Sequence, residues 1–368
     1  IGSCVESMKS FTDKIVSDPH HPSFFPTFRQ LGYGDLHIKY DESSDMLAII
    51  AIHSTHLGPA LGGCRFLSYP SLDAAILDAM RLAHGMSYKA AISNLPLGGG
   101  KAVVIRPPNL TDRTRIFRSL GHFINELGGR YITAEDSGTS VADMDIVRTV
   151  TPYVTGHSSQ SFSFKDPAPI TAFGVRRGIE AAIKHRFHQH SLAGIRVTIQ
   201  GVGHVGYHLA KELSQQGAKL TICDINQEAL QRCAEEFRAQ IIAPEDVHKV
   251  ECDVFSPCAL GNVIHSKNIK EIRAPIIAGS ANNQLEGPEM AQQLKDQGIL
   301  YAPDYALNAG GLIYVAAQYS NQNEQSAKEK VENIYNTMLM IFECAQNENL
   351  PTLTIADRLA EQRLHHSA

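Results

Sequence analysis

The stretch IRVTIQGVGHVGYHLAKELSQQGAKLTICD, residues 195–224, decides the fold. A β-branched run at 195–200 leads directly into GVGHVG at 201–206, and a helical pattern to about Gln216 precedes a second strand at 218–224. Such an order of strand, glycine turn, helix and strand is a βαβ unit. Further strands are predicted at 252–258, 274–280 and 299–302. Because these strands alternate with helical stretches, the sequence predicts an α/β protein with a Rossmann-type, doubly wound parallel sheet.

The glycines of this turn predict a dinucleotide site. Glycine at these positions permits a tight turn, close approach of a pyrophosphate and close packing of the helix. Asp224 ends the second strand, where its carboxylate can accept hydrogen bonds from ribose hydroxyls, and this favours NAD over NADP. A purely structural glycine turn is the alternative. The predicted cofactor contacts are Gly201, Val202, Gly203, His204, Val205, Gly206 and Asp224.

The length of the chain indicates two domains. At 368 residues it exceeds the size of about 250–300 residues at which single cores stop growing. The character of the sequence changes after Thr151-Pro152, so one domain is predicted over 1–155 and a Rossmann domain over 156–345. A long helix is predicted near 326–346. A last helix at 354–364 is expected to fold back, so that 346–368 completes the first domain.

Composition excludes several function classes. The net charge of −5, without a long basic run, argues against a nucleic-acid partner. No apolar run of membrane-spanning length and no signal-peptide core is present, so no membrane partner is expected. The histidines at 185, 188 and 190 are interpreted as a solvated connector, so no metal is predicted. Scattered cysteines without a CxxC pair fit a reducing cytoplasm. They are Cys4, Cys64, Cys223, Cys233, Cys252, Cys258 and Cys344.

Two lysines bracket the segment GMSYKAAISNLPLGGGK at 85–101. A helix over 70–86, capped by Ser71, is predicted to end just before Lys89. LPLGGG is then predicted to be a tight loop that leads into the strand KAVVI. Lys101 would therefore lie at a loop-to-strand junction.

The chemistry of this pair suggests a division of roles. Amino groups held close together in a partly dry cleft are costly to charge at the same time, so one of them can lose its proton and act as a base. The other remains a cation that can bind a carboxylate. Most lysines are solvated surface groups, which is the alternative. The otherwise uncharged stretch from Gly85 to Ile105 favours the functional interpretation.

Acidic and amide side chains near strand ends supply further candidates. In TAEDSGTSVADMD, Asp143 and Asp145 fit a helix start, capped by Asp136, Ser137 or Thr139. Asp136 comes directly after the strand-like RYITA and is the better candidate for proton transfer.

Asparagines in GSANNQ and NAGG follow predicted strands. Turns favour asparagine for backbone reasons, but ligands bind at the carboxyl ends of strands in such sheets. Asn282, Asn283 and Asn308 are therefore candidate ligand contacts.

Together these segments resemble the Glu/Leu/Phe/Val amino acid dehydrogenases, and within them the leucine dehydrogenases. The matching stretches span most of the chain, in order. They are AIIAIHSTHLGPALGGCRF (48–66), the lysine segment, GRYITAEDSGTS (129–140), PAPITAFGV (167–175), GVGHVG, PCALG (257–261), IAGSANNQL (277–285) and YAPDYALNAGG (301–311).

The resemblance implies roles for individual residues. Lys89 would bind the substrate α-carboxylate, Lys101 would be the general base, and Asp136 would assist proton transfer. Further implied substrate contacts are Leu61, Gly62, Gly63, Ala134, Asn308, Leu312 and Val315. Further implied NAD contacts are Thr171, Cys258, Ala259, Asn282 and Asn283. The first domain would bind substrate and form a homo-oligomer, commonly an octamer. The reaction implied is reversible, NAD-dependent oxidative deamination of branched-chain L-amino acids.

Other functions remain open at this point. Leu61 disfavours glutamate, because a side-chain carboxylate would be buried there without a cation. GGGK and Leu312 also occur in relatives that resemble tryptophan dehydrogenase, so a phenylalanine or tryptophan dehydrogenase is the main alternative. A 2-hydroxy acid dehydrogenase would need a His–carboxylate pair with an Arg, which is not found beside the predicted cleft. A regulatory NAD-binding protein without catalysis is the alternative from another class.

Overall fold

The computed structural model describes residues 25–110, 112–159 and 166–365. These residues form two compact units. The first unit contains the described residues up to Ser87 together with Pro96–Ser159, and the second contains Tyr88–Leu95 together with the described residues from Asp166 onward.

The first unit is built on a mixed sheet in the strand order β1-β2-β4-β3-β5. Strand β1 is antiparallel to β2, and β2 is antiparallel to β4, whereas β3 runs parallel to both β4 and β5. The strands are β1 (Asp35–Asp41), β2 (Met46–Ser54), β3 (Ala60–Leu67), β4 (Gly98–Ile105) and β5 (Tyr131–Glu135). The helices are α1 (Phe25–Gln30), α2 (Leu72–Ile92), α3 (Arg113–Glu126) and α4 (Val141–Arg148).

Both faces of this sheet are covered. On one face Val103 of β4 packs with Ala79 and Met80 of α2, and on the other Val104 packs with Phe117 of α3. Strand β4 is therefore buried on both sides, which explains its run of apolar residues.

Two predictions about the lysine segment are wrong. Helix α2 begins after Ser71, whose hydroxyl accepts from the amide of Ala74, as predicted, but it continues to Ile92 and places Lys89 in its last turn. Strand β4 begins at Gly98 rather than at Lys101, so Lys101 lies within the strand.

The triple glycine is explained by close packing, not by a turn. A Cβ on Gly98 would lie 1.8 Å from the carbonyl oxygen of Ser54, and one on Gly99 would lie 2.1 Å from the amide nitrogen of Ser87. One on Gly100 would meet the Tyr131 ring at 2.7 Å. Glycine lets β4 approach these neighbours.

The second unit contains a wholly parallel sheet in the order β11-β10-β9-β6-β7-β8. The strands are β6 (Arg196–Gln200), β7 (Lys219–Cys223), β8 (Gln240–Ile241), β9 (Val254–Pro257), β10 (Ile276–Ile277) and β11 (Leu300–Tyr301). The helices are α5 (Ala168–Phe187), α6 (His204–Gln215), α7 (Gln227–Phe237), α8 (Glu289–Asp296), α9 (Asp304–Leu307), α10 (Gly310–Tyr319), α11 (Glu324–Glu332), α12 (Ile334–Glu348) and α13 (Thr352–His365). Short 3₁₀ helices occupy Pro244–Lys249 and Ile269–Glu271. The predicted α/β class and Rossmann-type sheet are confirmed.

The C-terminal part departs from the prediction in two ways. The long helix predicted near 326–346 is two helices, α11 and α12, which meet at Asn333. Residues 346–368 were assigned to the first domain, but α13 belongs to the second unit, where the Thr352 hydroxyl donates to the carbonyl of Tyr301 at 2.6 Å. None of the helices in the described ranges is both long and apolar enough to cross a membrane.

Candidate active site

Lys101 forms an ion pair with Asp136 inside the first unit. Lys101 is only 6% exposed, and its ammonium group donates to Asp136 Oδ2. Strand β3 lies between the two residues, since Cys64 pairs with Ala102 of β4 on one side and with Glu135 of β5 on the other. The sequence predicted both residues as proton-transfer groups, and the structure brings their side chains into contact.

Gly63 explains how the lysine reaches across β3. A Cβ at Gly63 would lie 2.7 Å from the Cβ of Asp136 and 2.8 Å from the carbonyl oxygen of Glu135. A side chain there would displace Asp136, so this glycine keeps the path open between Lys101 and its partner.

Asp136 is also bound by an arginine that sequence reasoning missed. Arg65 Nε donates at 3.3 Å to the same oxygen, Oδ2, that Lys101 uses. Burial raises the pKa of Asp136, but the charges of Lys101 and Arg65 outweigh burial, and the pKa lies below its ordinary value of 3.8. Asp136 is therefore held as a carboxylate between two cations. The only sequence signal was a charged residue within the otherwise uncharged strand LGGCRF.

The predicted apolar contacts of the first unit lie beside this pair in the sheet. Leu61 of β3 is 2% exposed, and Ala134 of β5 is 8% exposed and pairs with Gly63. The carbonyl of Gly62 accepts from the Tyr131 hydroxyl at 2.6 Å. The acids further along were correctly read as a helix start: Asp143 closes a capping box at α4, although the cap is Ser140 and not one of the three predicted residues.

Lys89 belongs to the second unit, not to the unit that holds Lys101. Its ammonium donates to Asn282 Oδ1 at 3.2 Å. The amide nitrogen of Asn308 donates at 2.7 Å to the same oxygen. Three predicted site residues from α2, the loop after β10 and the end of α9 are thus brought together.

A buried carboxylate accompanies this group. Asp304 is 9% exposed and accepts from the backbone amides of Gln284 and Tyr305 at 3.0 and 2.6 Å. Burial raises the pKa of Asp304, and the amide of Gln284 and the charge of Lys89 oppose this in part. Asp304 therefore interacts electrostatically with Lys89, a contact that the sequence analysis did not predict.

Asn308 has one buried oxygen without a hydrogen-bond partner among the described residues. That oxygen is Oδ1, whereas the amide nitrogen donates to Asn282 and to the carbonyl of Ser280. An unsatisfied buried acceptor costs about 1–3 kcal/mol, so a native structure that keeps one calls for an explanation. A donor on a bound small molecule would satisfy it.

The remaining candidates of this region lie on α5 and α10. The Thr171 hydroxyl donates to the carbonyl of Pro167 at 2.9 Å. A Cβ on Gly311 would lie 2.9 Å from Thr171 Oγ1. Leu312 and Val315 follow one helical turn apart on α10; Leu312 is buried and Val315 half-buried. Asn283 is exposed, with a φ of 52°.

The glycine turn forms between β6 and α6 as predicted. Gly201 requires glycine twice over, because its φ is +96° and a Cβ would lie 2.7 Å from that of Ala259. Gly206 packs so closely that a Cβ would lie 2.0 Å from the carbonyl oxygen of Gly201. At Gly203, by contrast, φ is −67° and a Cβ would meet no protein atom within 4 Å. Protein packing therefore does not explain the glycine at 203, and a helix N-terminus such as that of α6 can bind an anion such as a phosphate.

Asp224 braces this turn. Its Oδ2 accepts from the amide of Val202 at 2.7 Å and its Oδ1 from the amide of Asn226 at 2.8 Å. Each carboxylate oxygen retains a second lone pair that can accept from a ribose hydroxyl.

Two large apolar side chains that the sequence analysis missed are exposed just after β7 and β9. Ile225 is 91% exposed and Leu260 is 79% exposed. Leu260 directly follows Cys258 and Ala259, where the amide of Cys258 donates to the carbonyl of Gln200 at 2.8 Å. Exposed apolar groups at the carboxyl ends of β7 and β9 are suited to contact a planar apolar ring.

His204 and Val205 open helix α6. The His204 side chain is 88% exposed, with Nδ1 3.7 Å from Asp166 Oδ2, and Val205 is half-buried. Within the described ranges, no cluster of three His, Cys, Asp or Glu residues could hold a metal ion.

These features define a class of enzyme. A Rossmann-type parallel sheet with a glycine turn after its first strand and a carboxylate at the end of the next, together with a buried lysine–carboxylate pair, is typical of a nucleotide-dependent dehydrogenase.

Comparison with known proteins defines the family. Residues 35–153 match the sequence model of the Glu/Leu/Phe/Val dehydrogenase dimerisation domain. Residues 164–227 and 220–364 match that of Glutamate/Leucine/Phenylalanine/Valine dehydrogenase. The chain belongs to this family and is an amino acid dehydrogenase, an oxidoreductase that acts on CH–NH₂ groups.

Individual relatives cover most of the chain. It is 50% identical to leucine dehydrogenase of Geobacillus stearothermophilus over 324 residues, which cover 88% of each protein. It is 41% identical to valine dehydrogenase of Streptomyces albus, over 91% of this chain and 93% of that one. The crystal structure of L-tryptophan dehydrogenase from Nostoc punctiforme superposes with a TM-score of 0.82 at 40% identity and covers 92% of this chain and 98% of that one.

Proposed function

We propose that this protein catalyses the reversible, NAD-dependent oxidative deamination of branched-chain L-amino acids to 2-oxo acids and ammonium. The buried Lys101–Asp136 pair is the observation that supports it most directly, because it provides a proton acceptor fixed within a strand. Leucine dehydrogenases at 46–50% identity support the choice of substrate.

The proposed chemistry begins with orientation of the substrate. Lys89 binds the α-carboxylate, and the free Oδ1 of Asn308 accepts a hydrogen bond from the substrate amine or from the carboxamide of the cofactor. The residues of the glycine turn would hold NAD, which would supply the acceptor for the hydride of the α-carbon. Asp136 holds Lys101 in place and stabilises it once it has taken up a proton.

Lys101 then acts on water. Its neutral amine removes a proton as the water oxygen adds to the iminium carbon of the substrate. The same group returns that proton to the nitrogen and takes up the hydroxyl proton as the carbinolamine collapses to the 2-oxo acid and ammonia leaves. Asp136 remains ionised throughout, since Arg65 keeps its positive charge beside it while Lys101 is neutral.

The residues of the glycine turn fit NAD. The open space at Gly203 and the N-terminus of α6 suit a pyrophosphate, and Asp224 suits unmodified ribose hydroxyls. A 2′-phosphate would meet the negative charge of Asp224, so NADP is a poorer cofactor. Thr171, Cys258, Ala259, Asn282 and Asn283 are proposed as further cofactor contacts.

Apolar residues are proposed to select the substrate side chain. Leu61, Ala134, Leu312 and Val315 are the residues proposed for this role, and none of them is a cation that could pair with a glutamate side chain. Phenylalanine or tryptophan is the second candidate substrate class, favoured by 41% identity to an L-tryptophan dehydrogenase over 93% of the chain.

A substrate panel tests the proposal. Purified protein is assayed by NADH absorbance with leucine, valine, isoleucine, phenylalanine, tryptophan and glutamate, each with NAD and with NADP. We expect the branched-chain substrates with NAD to give the largest kcat/KM. A larger kcat/KM for phenylalanine or tryptophan would show that the protein prefers the second substrate class. No turnover with any of the six amino acids would refute the proposed reaction.

A lysine variant tests the assigned base. Lys101→Ala should lower kcat by at least about 10³-fold and leave NADH affinity, measured by NADH fluorescence, within about twofold. Lys249→Ala removes a lysine whose side chain is 53% exposed and serves as the control. Retained turnover in Lys101→Ala would refute the mechanism.

We also propose a homo-oligomer, an octamer, that forms through the first unit. Strand β1 is an edge strand that pairs with β2 on one side, and Ile38 and Tyr40 on it are 45% and 60% exposed. An unpaired edge with exposed apolar groups is a pairing surface. Light scattering should give a mass of eight chains; a monomer would contradict any assembly, and a smaller ring would correct the number.

A cytoplasmic location is proposed for the enzyme. Its described cysteines, which exclude Cys4, are free thiols, as expected in a reducing compartment. Cell fractionation followed by immunoblotting tests this, and recovery in the membrane or secreted fraction would contradict it.

A further inference from the structure

Arg65 links the Lys101–Asp136 pair to a second carboxylate. Its Nε donates to Asp136 Oδ2, while its Nη1 donates to both oxygens of Asp78 at 3.3 and 3.0 Å. Asp78, on helix α2, also accepts from the Tyr69 hydroxyl at 2.5 Å. The side chains therefore form one chain of alternating charge, Lys101–Asp136–Arg65–Asp78, that ends at a tyrosine.

Other titratable groups near the Lys101–Asp136 pair are neutral or are paired with each other. Burial raises the pKa of the Cys64 thiol and that of Tyr131, so both stay neutral. Asp143 and Arg113 form their own ion pair, with N–O distances of 2.7 Å, and cancel each other at longer range. Ser137, whose hydroxyl lies 3.4 Å from Asp136 Oδ1, carries no charge. Of the groups named here, Asp136, Arg65 and Asp78 carry the charges that act on Lys101, while Glu135, next to Asp136, is exposed to solvent.

Arg65 and Lys101 compete for one oxygen. Both donate to Asp136 Oδ2, so the positive charge of Arg65 weakens the stabilisation that Asp136 gives to the lysine ammonium. Its guanidinium also repels that ammonium directly. Both effects favour the neutral amine. Asp78 acts in the opposite sense, because it neutralises part of the charge on Arg65.

We propose that Arg65 is a positioning residue that sets the pH at which Lys101 becomes a base, and that Asp78 adjusts this pH through Arg65. The proposal rests on the function proposed above for Lys101. The proposed action of Arg65 is exerted through Asp136, to which it donates. Its position on β3, between the strands that carry the other two residues, lets a single side chain reach Asp136 and helix α2 at once.

Two substitutions should move the pH dependence in opposite directions. Arg65→Gln keeps a donor to Asp136 but removes the cation, so the acid limb of the kcat/KM profile should move to higher pH by about one pH unit. Asp78→Asn leaves the charge on Arg65 uncompensated, so the same limb should move to lower pH by about half a unit. A merely structural role would lower activity in both variants without opposite shifts.

Conservative and control variants narrow the interpretation. Arg65→Lys keeps the cation, so the acid limb should move by no more than about a third of the shift seen in Arg65→Gln. Arg130→Gln, which removes an arginine ion-paired with Asp35 in the same unit, should leave the profile unchanged. Shifts in the same direction for Arg65→Gln and Asp78→Asn, or no shift in either folded variant, would overturn the proposal.

A measurement without turnover separates this proposal from the function. Trace acetylation of the substrate-free enzyme with acetic anhydride, followed by peptide mass spectrometry, reports the pH at which Lys101 becomes half-reactive. The same opposite shifts are expected there. If they occur and the substrate panel shows no deamination, the charge network stands and the function fails; if deamination occurs and the labelling does not shift, the network proposal fails. Should Arg65→Gln not fold, Asp78→Asn and Arg65→Lys still decide the sign.

Discussion

Replacing Asp357 with asparagine is expected to stabilise the protein at neutral pH but much less in mild acid. Asp357 lies on α13, where its Oδ1 accepts from the Tyr305 hydroxyl at 2.8 Å. The neighbouring Glu361 accepts from the Tyr88 hydroxyl at 2.9 Å, and the rings of Tyr88 and Tyr305 meet edge to face. These contacts hold the last turn of α2, which carries Lys89, against the rest of the second unit.

The magnitude follows from linkage. Burial raises the pKa of Asp357 from its ordinary value of 3.8 to about 6; the hydrogen bond from Tyr305 opposes this, and the charges of Glu361 and Asp304 add to it. Because the folded state holds the proton more tightly than the unfolded state, stability falls as pH rises between these two values. At about 1.4 kcal/mol per pKa unit, ionised Asp357 costs the folded state about 3 kcal/mol.

Asparagine imitates the protonated carboxyl and keeps an acceptor for Tyr305. The gain in unfolding free energy of Asp357→Asn over the parent should therefore grow by about 2 kcal/mol between about pH 4.5 and about pH 7.5. Urea unfolding at a fixed protein concentration, followed by circular dichroism, measures this difference. Asp296→Asn, at an exposed site of the same unit, is the control. A gain that is independent of pH, or a loss at neutral pH, would refute the reasoning.

Further predictions concern the glycines and the cofactor site. Gly62→Ala would place a Cβ 1.7 Å from the carbonyl oxygen of Gly100 and should destabilise the protein by about 4 kcal/mol or more. Gly85→Ala, on α2, would place a Cβ with no atom of another chain segment within 4 Å and should stabilise the protein by up to about 1 kcal/mol. Thermal melts compare the two variants, and equal melting temperatures would contradict the packing argument. Leu260→Asp should weaken NADH binding about tenfold in a fluorescence titration without lowering the melting temperature, and unchanged affinity would remove Leu260 from the cofactor site. Asp224→Ser should raise the ratio of NADP to NAD affinity but loosen the turn, since the amide of Val202 loses its acceptor; an unchanged ratio would contradict the ribose assignment.

The sequence was most informative where function and local structure use the same residues. The turn at 201–206 was predicted correctly because its glycines answer local backbone and packing demands within one βαβ unit. Asp224 followed from its place at the end of the second strand. Such features need no knowledge of distant parts of the chain.

Predictions failed where distant backbone decided the outcome. Gly98, Gly99 and Gly100 suggested a loop because glycine is common in turns, yet they lie in β4 because other chain segments approach them closely. The end of α2 was placed too early because the stop signal lies later, at Asn94 with a φ of 56°. Arg65 was missed because its partners are 13 and 71 positions away in the chain.

The proton-transfer pair depends on the register of three strands. Cys64 of β3 is paired with Ala102, the residue after Lys101, and with Glu135, the residue before Asp136, so the lysine and the aspartate lie on opposite sides of β3. Neighbouring strands are about 4.8 Å apart, and the lysine must therefore cross a whole strand to reach its partner. It can do so because Gly63 presents no side chain. A slip of β3 that moved Cys64 into the place of Gly63 would put a side chain at the crossing point and turn Arg65 to the other face of the sheet. The roles of Gly63 and Arg65 therefore depend on the same strand register. Gly63 leaves room for Lys101 to reach Asp136, and Arg65 supplies the second cation that keeps Asp136 ionised.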